Sequence, residues 1–127
     1  MLFTVTLCSA QTPRQPDTFK VFWQKFKTAV IQSDKETVAS LSRFPIKMSF
    51  GKTSIKNKAQ LLRRYREVFN EQTNAAQCFN KKDPEKEAGS AGFSIACPDE
   101  AGNEVVVYSF APTKTGWKFT GLDNLNE

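Results

Sequence analysis

Phe19, Phe22, Trp23, Phe26, Ala29 and Val30 fall three and four positions apart. At about 3.6 residues per turn, this spacing gathers four aromatic and two smaller apolar side chains on one stripe of a helix. Lys20, Gln24, Lys25, Lys27 and Thr28 fall largely on the other side. Such a helix needs a broad apolar surface opposite its stripe, and a chain of 127 residues has room for one domain to supply it. An apolar content of 39% with 24% charged residues excludes wholesale disorder. The spacing predicts a helix over 17–32, started by Pro16 and Asp17.

The following residues supply that surface. Ser33, with Glu36 three positions on, reads as a capping box for a short second helix over 34–42 that buries Val38 and Leu41. Phe44, Ile46, Met48 and Phe50 alternate with Pro45, Lys47 and Ser49, the period of a half-buried strand. Pro45 argues against a central, fully paired position for it, and Gly51 turns the chain. Leu61, Leu62, Tyr65, Val68 and Phe69 mark a third helix over 58–70, with Ile55 packing just before it. Gln77-Cys78-Phe79-Asn80 reads as a short strand and 81–92 as a polar, mobile loop. Segments 93–97, 104–110 and 117–122 read as strands joined by turns at 98–103 and 111–116, an antiparallel meander. The expected fold class is α+β: three helices from the N-terminal half on a curved antiparallel sheet of four to five strands.

This layout resembles the cone-shaped nuclear-transport-factor-2-like superfamily, cystatin-like α+β domains that include ketosteroid-isomerase-like proteins. The likeness is carried by Phe19-x-x-Phe22-Trp23-x-x-Phe26, by Asp34 with Val38 and Leu41, and by Phe44-Pro45-Ile46. The helix from Leu61 to Phe69 and the closing Gly116-Trp117-Lys118-Phe119 complete it. It covers nearly everything after residue 16, so 17–127 is expected to be a single domain. The resemblance implies a hollow between sheet and helices, and often a homodimer through the open sheet face. It is shared by many exported bacterial proteins of unknown role and implies no particular reaction.

Residues 1–10, MLFTVTLCSA, are uncharged and mostly apolar, and 11–16 are polar with two prolines. They read as the remnant of a secretory leader, cut before Gln11, followed by a linker. A lipid anchor on Cys8 and a short first strand are the alternatives. Without Cys8, Cys78 and Cys97 remain as an even pair, expected to bridge neighbouring strands in a secreted or periplasmic protein. A cytoplasmic protein with two free thiols is the alternative. No segment approaches the roughly 20 apolar residues of a membrane span.

The chain has no His, which removes Ser-His-Asp and Cys-His nucleophiles and most zinc and iron sites. Neither a cofactor nor a metal is expected. Gly51-Lys52-Thr53 lacks the first Gly of a phosphate loop, since position 46 is Ile. Asp99 to Glu104 lacks the alternating spacing of a calcium loop. Trp23, Tyr65, Tyr108 and Trp117 are the candidate ligand-binding residues. The leading expectation is a non-catalytic domain that binds a small apolar ligand in the cone or a protein partner on the sheet face. The alternative is a ketosteroid-isomerase-like isomerase or dehydratase using Asp34 or a tyrosine as its acid/base group.

Charge is segregated. Residues 1–66 carry thirteen Lys and Arg against three acids, and residues 67–127 five against ten. Lys56, Lys58, Arg63 and Arg66 form a candidate basic patch at the third helix, suited to an acidic protein, an anionic membrane surface or another anion. Nucleic acid is the least expected partner, because the nearby aromatics follow core periodicities instead of interleaving with the charges for stacking.

Overall fold

The computed structural model describes residues 19–49, 52–84 and 88–125. The leader (1–10), the linker (11–16), the Pro16–Asp17 helix start and the Phe50–Gly51 turn lie outside the described residues. The order is α1 (Phe19–Ile31), α2 (Lys35–Ser40), β1 (Ser42–Met48), α3 (Lys58–Arg66), a π-helical turn (Glu67–Glu71), α4 (Ala75–Asn80), β2 (Phe93–Pro98), β3 (Glu104–Thr113) and β4 (Gly116–Asn124). The α+β class is as expected. Among the described residues, no helix is long and apolar enough to cross a membrane.

α1 buries all six members of its stripe. Its end differs from the expected capping box. Ser33 adopts φ 56°, and Ser33 N–H and Asp34 N–H donate to Val30 O (3.1 Å) and Ala29 O (2.8 Å). That pattern closes the helix with a left-handed residue. Ser33 is thereby taken up in stopping α1, and Asp34 starts α2 instead. Its Oδ1 accepts from Thr37 N at 3.2 Å and its Oδ2 from Thr37 Oγ1 at 2.7 Å.

The sheet has strand order β1-β4-β3-β2, and β1 stands at an edge, as Pro45 required. The β4–β3 and β3–β2 pairs are antiparallel, but β1 runs parallel to β4, so the sheet is mixed and not wholly antiparallel. The segment before α3 adds to the free side of β1 by one bridge, with Ile46 N to Ile55 O at 2.8 Å and Ile55 N to Ile46 O at 2.9 Å. A bulge between Ser109 and Phe110 leaves Thr120 as the extra residue of β4 and helps bend the sheet. Strands β3 and β4 also run through most of the segment expected to be a six-residue turn, leaving Lys114 and Thr115 as a tight hairpin.

Two further corrections concern the middle of the chain. The helix over 58–70 is α-helical only to Arg66, and its last turn widens to a π-helix. Gln77 to Asn80 is no strand but the body of α4. Asn74 caps that helix, its Oδ1 accepting from Gln77 N at 3.1 Å, and Ala75, Cys78 and Phe79 are buried at helical spacing. The Cys78–Cys97 disulfide is present, with Cα atoms 5.8 Å apart, and joins α4 to β2 instead of two strands. The loop over 81–92 ends in a Gly89–Gly92 bridge, and residues 85–87 lie outside the described residues.

Gly92 has φ +139°, and a Cβ there would sit 2.5 Å from the Phe110 carbonyl oxygen. Gly92→Ala is therefore expected to destabilise the fold by about 1–3 kcal/mol, read from urea unfolding. An unchanged midpoint would mean that β2 enters the sheet by another path.

Candidate functional site

The space between helices and sheet is packed with rings. Trp23, Phe26, Phe69, Phe79, Tyr108, Phe110 and Phe119 are each at most 1% exposed. Phe26 sits among them, 5.2 Å from Phe110, 5.5 Å from Phe119 and 6.2 Å from both Phe69 and Phe79. These are the separations of tilted and edge-to-face pairs in a close-packed interior.

All four candidate ligand-binding residues belong to this packing. Trp23 meets Phe79 edge-on at 4.9 Å, and its Nε1 donates to Lys82 O at 3.2 Å. Tyr108 is fully buried and donates to Val68 O, in the π-helical turn, at 2.6 Å. Half-buried Trp117 meets Phe19 at 5.0 Å, where the end of α1 crosses the sheet. Tyr65, 3% exposed, packs on Phe69 at 4.7 Å under the Lys35 ammonium, and its hydroxyl has no hydrogen-bond partner among the described residues.

The two phenols thus differ. Tyr108→Phe removes a buried hydrogen bond to Val68 O and is expected to cost about 1 kcal/mol. Tyr65→Phe removes a hydroxyl that bonds no described residue and is expected to leave stability unchanged or slightly raised. Equal losses in thermal melts of the two variants would contradict the assignment. Burial, aided by Asp34, pushes the Tyr65 phenol up to about 12. Burial, aided by Tyr65, raises Tyr108 as well. An unfolded chain releases tyrosine protons near pH 10, whereas the fold holds these two. Stability should therefore be intact below pH 10 and fall as pH rises from 10 through about 12. Phenolate absorbance at 295 nm would check this, and full titration near pH 10 in the native protein would contradict it.

The outside of the sheet is different. In β2, β3 and β4 the residues that alternate with the buried ones point away from the helices. They include half-buried Ala96, Val105, Val107, Ser109 and Ala111. Ser94, Ser109, Ala111 and Thr120 border a shallow depression of about 520 Å³ there. Along the β1 side the same face turns basic. Ile46 and Met48 point inward, so Arg43 and Lys47 point outward, and both are exposed. The Ile46–Ile55 bridge puts Lys56 across from Pro45, a diagonal neighbour of Lys47 on the same face. Arg43, Lys47 and Lys56 form no ion pair among the described residues. Lys118, next along β4, donates to Ser40 O at 3.1 Å.

On α3, exposed Arg63 is likewise unpaired among the described residues, whereas Lys58 pairs with Glu36 and Arg66 lies 4.0 Å from Glu71. Arg64 is held twice by Glu67, at 3.0 and 2.8 Å. That pair holds the Glu67 carboxyl below its ordinary value. Arg43 and Lys118 were not singled out in the sequence, and Lys47 counted only with the basic half, outside the candidate patch. The strand alternation that places Lys47 was legible, but the bridge that sets Lys56 beside it was not.

No family model and no curated protein match this chain. Among solved structures, it is similar to an NTF2-like protein with a cystatin-like fold from Novosphingobium aromaticivorans. The TM-score is 0.46 at 11% identity, covering 84% of this chain and 78% of that one.

Proposed function

We propose that the domain is a non-catalytic binding module that receives an acidic protein partner across the outer face of its sheet. The observation that carries this reading is the Arg43–Lys47–Lys56 rim beside half-buried small and apolar residues. An interface of this kind pairs a low-charge centre with a rim that steers the partner. The packed ring cluster weighs against a small apolar ligand in the cone and against a ketosteroid-isomerase-like site. A second copy is the competing occupant of the same face. Its docking would oppose two chains that each carry a net charge of +5, whereas an acidic partner gains from that charge. The Cys78–Cys97 bridge supports an exported setting, where disulfides persist.

An oligoglutamate peptide is the test probe. Binding is expected to weaken at least tenfold between about 50 and 200 mM salt, as for a surface joined through several charges. Lys47→Glu with Lys56→Glu is expected to abolish it while the melting temperature stays put. Salt-insensitive binding, or undiminished binding by the double variant, would overturn the proposal. A dimer that persists in high salt and is broken by Val107→Arg would give the face to a second copy instead.

A further inference from the structure

A cleft of about 450 Å³ opens elsewhere, between the π-helical turn and α4 on one wall and the β2–β3 hairpin on the other. Its walls are fixed to each other. The Cys78–Cys97 disulfide joins them, and Lys82 Nζ reaches Glu104 Oε2 across them at 3.2 Å. The hairpin is itself pinned, because Asp99 Oδ1 accepts from Ala101 N at 2.9 Å and Asn103 N at 3.0 Å.

The lining is rich in carboxamides whose hydrogen-bonding capacity is only partly used. Asn74 uses its Oδ1 on Gln77 N, which leaves its Nδ2. Gln72 uses its Oε1 on Asn124 Nδ2, which leaves its Nε2. The side-chain amides of Asn70 and Gln77 bond no described residue, and exposed Glu100 on the opposite wall pairs with no described cation. Oriented amide donors and acceptors match a peptide backbone, and a free carboxylate matches a cationic side chain. The lining residues include no aromatic ring for a sugar face to stack on. The volume lies in the range of small-ligand sites.

We infer that this cleft is a second binding site, one that takes an extended peptide segment bearing an arginine or lysine. The backbone of the segment meets the carboxamides of the helical wall, and its cationic head meets Glu100. This site is independent of the outer sheet face.

Titration of the full chain with acetyl-Arg-Gly-Arg-amide, followed by amide chemical shifts, tests the inference. Saturable shifts are expected within 70–82 and 99–104, with a dissociation constant on the order of 1 mM or tighter. Glu100→Lys, at an exposed hairpin position, is expected to weaken binding by roughly fivefold or more. Gln77→Ala should also weaken it, and Lys47→Glu should leave it unchanged. Absence of shifts, shifts centred on another surface, or full affinity in Glu100→Lys would each overturn the assignment. Retained oligoglutamate binding in Glu100→Lys keeps this result separate from the fate of the outer-face proposal.

Discussion

Phe26→Ala is expected to cost about 4 kcal/mol, enough to remove a large part of the stability of an ordinary domain. Six rings lie between 5.2 and 6.5 Å from that of Phe26: Phe22, Trp23, Phe69, Phe79, Phe110 and Phe119. These rings come from α1, the π-helical turn, α4 and two strands, so they cannot collapse together into the vacated space without moving whole elements. The melting temperature should fall by roughly 15 °C, at about 4 °C for each kcal/mol in a domain of this size. Trimming Lys25 on the exposed side of the same helix should change it little. A loss below about 1 kcal/mol would mean that the interior is loosely filled. The cone would then again become a candidate ligand site.

The second large effect is expected from the disulfide. Cys78 and Cys97 are 19 positions apart, and releasing a loop of about that length costs on the order of 3 kcal/mol. The loss should fall mainly on α4. That helix has six residues, too few to persist without its attachments, which are the bridge, the Asn74 cap and the burial of Phe79. Reduction, or paired Cys78→Ser and Cys97→Ser, should lower the melting temperature by roughly 10 °C. It should also speed amide exchange at Ala75–Asn80 more than in β3 or β4. Uniform acceleration across the chain would show that the bridge supports the whole fold and not this wall of the cleft.

How far the residues announced this architecture depended on how local each signal was. The α1 stripe repeats over three turns, and the strand alternation of Phe44 to Met48 stands out against Lys47 and Pro45, so both were legible. α4 was not. Its apolar residues, Ala75, Cys78 and Phe79, are too few to distinguish a helical from an extended period, and the informative residue was the cap, Asn74. Ser33 could serve either as the end of one helix or the start of the next, and the backbone geometry at the end of α1 decided between them. The parallel β1–β4 pairing joins segments about seventy-five positions apart, and no local pattern encodes such a partner. The candidate binding surfaces follow the same rule. The excess of Lys and Arg in the first half was plain from counting, and Lys56 was marked by it. Its alignment with Arg43 and Lys47 arises only when the segment before α3 pairs with β1. The cleft was less legible still, since it unites Asn74, Gln77 and Glu100 through a helix whose residues carry the pattern of a short strand.

Amide chemical-shift mapping with the oligoglutamate peptide tests most directly whether this domain binds on its outside. The shifts are expected at Arg43, Lys47, Lys56 and Lys118 and along the outward residues of β3, with Phe26, Phe69 and Tyr108 unmoved. Perturbation spreading through those buried rings, or shifts confined to the helical side, would contradict an outer-face binding module.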